Sequence, residues 1–281
     1  MVQKKTIKNE ICLVGIGVHS GKPVRLVLRP SNKGKIVFRR RDLGGLEMAV
    51  DPGRVEALNS TAIAGRRFKV RTVEHLLASL FAAGIASVVV ELDADEIPIL
   101  DGSALPFVRA LETGGTRSLP GNVPILRIRK PFAVEECGAS VIVEPAAKGE
   151  GFRLAYTIEY PHPLIGRQTR GLSLTPETFA GEIAPARTFG FIKDVEALHG
   201  RGLARGSSFE NTVVLDSERV MNGPLRFPDE CVRHKLLDLV GDLALLGRPL
   251  AGRFTAHKAG HRLHLQVVRF LLGHPDFWTE E

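Results

Sequence analysis

The chain has 281 residues, of which 44% are apolar and 25% charged, enough apolar material for one large domain or two modest ones and too much for a disordered chain. No stretch reaches the roughly 18 uninterrupted apolar residues of a membrane span, and with 6% aromatic content and scattered cations there is no stacking platform for single-stranded nucleic acid. The 38 Lys and Arg against 31 Asp and Glu leave a formal charge of +7, which favours an acidic partner: nucleic acid, an anionic membrane surface or a phosphorylated small molecule.

Met1 to Glu10 carries charges with no apolar region behind them, unlike a secretory leader, so a cytoplasmic protein is expected. Strand-like runs follow at Ile11–Val14, Val24–Leu28 and Ile36–Phe38, separated by Gly- and Pro-containing turns. The glycine-rich stretch Gly15–Pro23 between the first two lacks P-loop spacing and precedes a strand, so it reads as a tight hairpin with His19 exposed on it and counted as substrate-facing. Cys12, Cys137 and Cys231 are odd in number and far apart, which argues against a disulfide framework; all three read as reduced core residues.

Arg71–Ala83 reads as a helix, with Thr72 as N-cap, Gly84 as stop and Leu76, Leu77, Leu80 and Phe81 as its buried stripe. Glu74 and His75 fall in its first turn, about 100° apart, so that one side chain can hold a metal while the other flanks the metal's open position. Ser87–Leu92 is a strand, Ile97–Ser103 a turn and Pro106–Glu112 a short helix. The glycine- and proline-rich Gly114–Asn122 is taken as a boundary between domains at 1–121 and 122–281.

The second half opens with strands at Ile125–Arg129, Phe132–Val134, Ser140–Val143 and Phe152–Ile158 and closes with the strand Arg253–Ala256 and a helix from Leu263 to Leu272. Strands followed by helices in both halves predict an α+β protein of two similar layers. Between them, residues 183–215 form a βαβ insertion with a short helix at Val195–His199. Its apolar side exceeds what so small a unit buries within itself; packing on the main sheet is the simpler account, and lining for a long apolar ligand is the other.

The most informative segment is Phe227–Gly247. Asp229 suits its start, Gly247 follows its last apolar residue and Pro249 forbids continuation, the two ends of one helix. His234, Asp238 and Asp242 recur at i, i+4, i+8 and share one face, and Gly241 beside them leaves room for a ligand. An ordinary i, i+4 pair is the alternative for His234 and Asp238 alone, and zinc in an enzyme wants three protein ligands and one open position. His75, His234 and Asp238 make such a set, without thiolate, suited to a catalytic zinc with bound water. Glu74 then takes the proton from that water, and His261, after Gly260 at the start of the last helix and kept charged by Asp242, stabilises an oxyanion or protonates a leaving amine. These roles describe hydrolysis of an amide bond.

Seven blocks carry a resemblance: Gly17-Val-His-Ser-Gly-Lys22, Thr72-Val-Glu-His-Leu-Leu77, Ile99-Leu-Asp-Gly-Ser103, Ala186-Arg-Thr-Phe189, Val232-Arg-His-Lys-Leu-Leu-Asp238, Gly241-Asp242 and Ala259-Gly-His261. In order from about Ile7 to Leu272, the chain resembles bacterial UDP-3-O-acyl-N-acetylglucosamine deacetylases. The resemblance implies two two-layer α+β sandwiches facing each other with the site between them, and zinc-dependent removal of the acetyl group from the 2-amine of a UDP-linked, O-acylated glucosamine, the committed step of lipid A synthesis. It implies zinc on His75, His234 and Asp238, Glu74 as base and His261 as proton donor. Thr188 would hydrogen-bond the reacting group, Phe189 would line the acetyl site and Lys235 would contact substrate. It makes 183–215 the acyl-chain passage. A monomer with transient membrane-surface contact and no nucleic-acid partner is expected. Two positions depart from the pattern: His264 stands where Asn is usual, and Ser207 where a second Gly follows Gly206.

Overall fold

The computed structural model describes residues 1–57 and 59–281. Its helices are α1 (Glu74–Ala82), α2 (Leu105–Gly114), α3 (Pro176–Thr178), α4 (Val195–Gly200), α5 (Glu230–Leu243) and α6 (His261–Gly273). Among the described residues no helix is long and apolar enough to cross a membrane. Among the described residues the architecture is α+β, built on two larger sheets and three small ones.

Alternation along Ile11–Ile16 and Pro23–Pro30 makes them an antiparallel hairpin over Gly15–Pro23, as its glycines predict. The hairpin enters a five-stranded sheet in the order Ile11–Ile16, Pro23–Pro30, Val88–Leu92, Ile36–Arg40, Leu46–Ala49, in which Ile36–Arg40 runs parallel to Val88–Leu92. Leu26, Leu28, Phe38, Val88 and Val90 point from this sheet into the core shared with α1 and α2. Cys12 lies on its outer face and is exposed, contrary to the core assignment, because Ile11 and Leu13 take the inward positions.

The glycine- and proline-rich stretch read as a boundary is a strand, Thr116–Val123, paired antiparallel with Val2–Ile7. The register slips between Gln3↔Asn122 and Lys5↔Ser118, and Pro120 falls in that irregularity, where a missing N–H interrupts no regular ladder. Ile7 and Leu119 anchor the pair in the core.

The second large sheet is centred on Leu250–His257, antiparallel to Ala139–Glu144 and parallel to Phe152–Glu159. Phe132–Glu136 joins Ala139–Glu144 through a two-residue turn in which Cys137 and Gly138 both have positive φ, 49° and 77°. Cys137 is therefore exposed on a turn, again not a core residue, and only Cys231 is buried. Helices α5 and α6 pack against this sheet.

The insertion is a βαβ unit, with Phe189–Phe191 parallel to Val213–Leu215 and α4 between them. The strand expected from Ile183 is shorter, since a π-helical turn at Phe179–Ile183 follows α3.

Helices α1 and α5 cross at Gly241. A Cβ there would stand 2.2 Å from the Glu74 carbonyl oxygen and 2.8 Å from its Cα. The glycine therefore admits the backbone of α1, not a ligand.

Candidate active site

Helix α5 presents its polar row as expected, but neither helix start uses the predicted cap. The Asp229 carboxylate accepts from Arg233 Nε at 2.6 Å and makes no cap bond. Glu230, 1% exposed, takes Arg187 Nε and the N–H groups of Arg187 and Arg226, tying the start of α5 to the segment that leads into Thr188. At the other end the helix tightens into a 3-10 turn and stops at Gly247, with φ of 68°, the left-handed closure its sequence predicts. Thr72 is likewise no cap: α1 begins at Glu74, and Thr72 sits at φ 57° with its hydroxyl donating to Glu96 at 2.9 Å.

His234 and Asp238 on α5 and His75 on α1 are 3–4% exposed. Their ligand-capable atoms all lie within 4.8 Å of one another. Asp238 Oδ1 is 3.8 Å from His75 Nε2 and 3.5 Å from His234 Nε2, and the two rings meet edge-on at 5.0 Å. His234 Nδ1 is 3.0 Å from the Ala186 carbonyl, a bond that places the proton on Nδ1 and leaves Nε2 as a lone-pair donor. Burial, then His234, push His75 down to about 3, and burial lowers His234 as well, so both imidazoles are neutral at pH 7. Burial opposes the charge of Asp238, but the Lys235 ammonium, foremost, outweighs it and holds the carboxyl far below its ordinary value. Two neutral imidazoles and an ionised carboxylate, converging with no other hydrogen-bond partner on either Nε2 among the described residues, fit a divalent cation.

Beside this set lies a second group of polar atoms. The Glu74 carboxylate accepts from the Thr61 N–H at 3.1 Å, and its other oxygen is 3.9 Å from His261 Nε2. Burial pushes the Glu74 carboxyl up to about 8. His261 opens α6 after Gly260, and its Nδ1 donates to Asp242 Oδ2 at 2.8 Å. Burial opposes the imidazolium, but the Asp242 charge outweighs it and raises His261 to about 10. The expected base and the expected proton donor therefore stand side by side, each with a pKa shifted by its surroundings.

Of the remaining expected residues, Lys235 and Phe189 stand against the metal-ligand set. Lys235 Nζ donates to Asp238 Oδ2 at 2.7 Å and stands 5.7 Å from the Phe189 ring centroid. Phe189 lies 6.4 Å from His234, edge-on. Thr188 is fixed through its backbone, its N–H donating to Gly102 and its carbonyl accepting from Val213, both at 2.8 Å. His19 is half-buried, not exposed: its backbone N–H donates to Glu96 at 2.9 Å and its Nδ1 accepts from the Ala204 N–H at 3.4 Å. Burial, foremost, lowers its pKa.

Three residues that complete the site escaped sequence reasoning. Thr61 donates its hydroxyl to Asp242 and its N–H to Glu74. His264, noted only as a departure, donates Nδ1–H to Asp242 Oδ2 at 2.7 Å. Glu96, 0% exposed, accepts from the His19 and Ser20 N–H groups and from Thr72. A Cβ on Gly17 would collide with its carboxylate at 2.2 Å, so that glycine is required by close approach.

Residues 4–273 match the family model described as UDP-3-O-acyl N-acetylglycosamine deacetylase. The chain is 43% identical over 270 residues, 96% of its length and 91% of the relative's, to a UDP-3-O-acyl-N-acetylglucosamine deacetylase of Thermodesulfovibrio yellowstonii. It is 44% identical to that of Nitratidesulfovibrio vulgaris, over 99% of this chain and 91% of the relative. For that of Chromobacterium violaceum the identity is 40%, over 99% and 93%.

Proposed function

The chain belongs to the UDP-3-O-acyl N-acetylglycosamine deacetylase family, and we propose that it works with zinc held by His75, His234 and Asp238, with Glu74 as general base and His261 as general acid. The reaction is hydrolysis of the N-acetyl group of UDP-3-O-(3-hydroxyacyl)-N-acetylglucosamine to UDP-3-O-acyl-glucosamine and acetate, a step of lipid A biosynthesis. The observation that carries the assignment is the buried two-imidazole, one-carboxylate set whose donor atoms lie within 4.8 Å, with a carboxylate of raised pKa and a histidine of raised pKa beside it.

A bound zinc ion supplies Lewis acidity, polarising the acetyl carbonyl and acidifying water. Glu74 accepts the proton of the attacking water as the C–O bond forms; a cation beside it favours its ionised form. His261, charged through Asp242, donates its Nε2 proton to the amine nitrogen as the C–N bond breaks and acetate leaves. Lys235 and Thr188 orient the reacting group, and Phe189 excludes water from the acetyl methyl.

The insertion serves as the acyl-chain passage. Phe189 and Phe191 pack against Tyr160 at 5.6 Å, and Ile192 and Phe209 remain 44% and 56% exposed, an apolar path for which internal packing gives no use. The same reading divides the chain near residue 121 into two sandwiches with the site between them. It also carries a cytoplasmic monomer that meets a membrane surface transiently, motivated by the acyl chain of the substrate and the charge of +7.

The test is acetate release from UDP-3-O-(3-hydroxyacyl)-N-acetylglucosamine by native protein, chelated protein and chelated protein given one equivalent of zinc. Activity lost and regained is expected. Folded protein that binds zinc but releases no acetate would reject this substrate.

A further inference from the structure

We propose that His264 is a positioning residue for proton donation by His261: it donates its Nδ1–H to the same Asp242 oxygen that holds His261, and so fixes the carboxylate on which the aim of the His261 ring depends. The proposal rests on the reading of His261 as general acid.

His264 is 0% exposed, and a ring buried that completely needs partners for its polar atoms. One lies 2.7 Å from Nδ1, Asp242 Oδ2, which also accepts His261 Nδ1 at 2.8 Å. The other oxygen of Asp242 takes the Thr61 hydroxyl. The carboxylate is thus gripped at both ends by three donors from two elements, the strand Thr61–Ala64 and α6, and its plane is set before substrate arrives. His261 and His264 are i and i+3 on α6, on one side of the helix, their rings 6.1 Å apart at 79°. The position of His264 is itself fixed. Oη of Tyr156 donates to the Ala259 carbonyl at 2.7 Å and stands 3.2 Å from His264 Nε2, so one phenol holds the chain segment that leads into His261 and packs against the ring. The His264 N–H, in turn, donates to the Gly260 carbonyl at 3.0 Å.

Two consequences follow for His261. Without the His264 bond, Oδ2 keeps His261 as its one histidine donor and the carboxylate is free to pivot about its Thr61 end, taking the ring with it; loss of aim appears in kcat. Two donors on one oxygen also share its charge, so removing His264 leaves more of it to the imidazolium and His261 holds its proton to higher pH. The charged and titratable groups around His261 are Glu74 and His75 on α1, His234, Asp238 and Asp242 on α5, His19 on the hairpin turn and His264. Of these, Asp242 acts through His261, and His264 acts through Asp242.

The side-chain amide nitrogen of Asn is as many bonds from Cα as Nδ1, whereas that of Gln is one bond further. Zinc-loaded H264N, H264Q and H264L are compared with the native enzyme in kcat, KM and the pH profile, with thermal melts as the check on folding. H264L and H264Q are expected to lose about tenfold or more in kcat, with KM within about twofold and the basic limb displaced to higher pH. H264N is expected within about threefold of native with the native limb. The Asn–Gln pair decides the matter even where H264L does not fold. A native kcat and limb in H264Q, or an H264N as impaired as H264Q, overturns the proposal. H261A with a native rate and profile would instead overturn the reading of His261, independently of the other variants.

Discussion

Gly241→Ala sets helix propensity against tertiary geometry. Ala is favoured over Gly in a helix interior by about 1 kcal/mol, so propensity alone predicts stabilisation of α5. The added methyl carbon would stand 2.2 Å from the Glu74 carbonyl oxygen, 2.7 Å from its carbonyl carbon and 2.8 Å from its Cα, whereas ordinary contact begins at 3.4 Å. These are backbone atoms of α1, which no rotamer change removes, so the helices must part by 1.2 Å (3.4 minus 2.2) at the crossing. Overpacking of this kind costs about 1–3 kcal/mol, outweighing the gain in propensity. Glu74 and His75 ride on α1 and His234 and Asp238 on α5, so the same separation draws His75 away from its two partners and Glu74 from its place beside them. A displacement of about 1 Å is worth about a hundredfold in rate. Thermal melts, zinc affinity by competition with a chelator, and kcat of the zinc-loaded variant read the three effects. A G241A protein that is more stable than native, with native zinc affinity and rate, would refute the account of this crossing.

Other outcomes follow from the same geometry. The rate rises with pH as Glu74 loses its proton and falls as His261 loses its own; in the metal-free chain these lie at about 8 and about 10, and the bound cation draws the acidic limb below 8. Glu74→Gln, which keeps the shape and removes the base, is expected to lower kcat by about 10²–10⁴ with native zinc content; a rate within tenfold of native contradicts the role. Glu96→Gln exchanges an acceptor for a donor among the His19 N–H, the Ser20 N–H and the Thr72 hydroxyl, and a denaturant titration is expected to show a loss of about 1–3 kcal/mol; an unchanged midpoint would show that the three donors find water. Cys137→Asn, at φ 49° before Gly138, supplies the Asn-Gly pair such a turn prefers and is expected to raise stability by up to about 1 kcal/mol, visible as a higher melting temperature.

What the sequence revealed and what it hid divide by range. The row His234, Asp238, Asp242 is legible because helical periodicity fixes one face within a single segment, and the Gly247 stop because the left-handed turn favours glycine. Neither expected cap forms, because Asp229 and Thr72 both have stronger partners, a guanidinium at i+4 and a buried carboxylate. Thr61 carries no local signal of a site, yet it meets Asp242, 181 positions away. Glu96 ends the acidic run Asp93–Glu96, whose composition predicts solvent exposure; nothing local announces that the Gly15–Pro23 turn closes over it. Gly241 was visible as a small residue beside the polar row, but whether the missing side chain admits a ligand or a helix depends on α1, which only the fold supplies.

The proposed metal ligands are His75, His234 and Asp238. X-ray absorption at the zinc edge of protein carrying one equivalent of zinc tests that set directly. The account predicts two imidazole nitrogens at about 2.0–2.1 Å, oxygen in the remaining positions and no sulfur, with one imidazole lost in His75→Ala. Sulfur at about 2.3 Å, or an unchanged spectrum in His75→Ala, would contradict it.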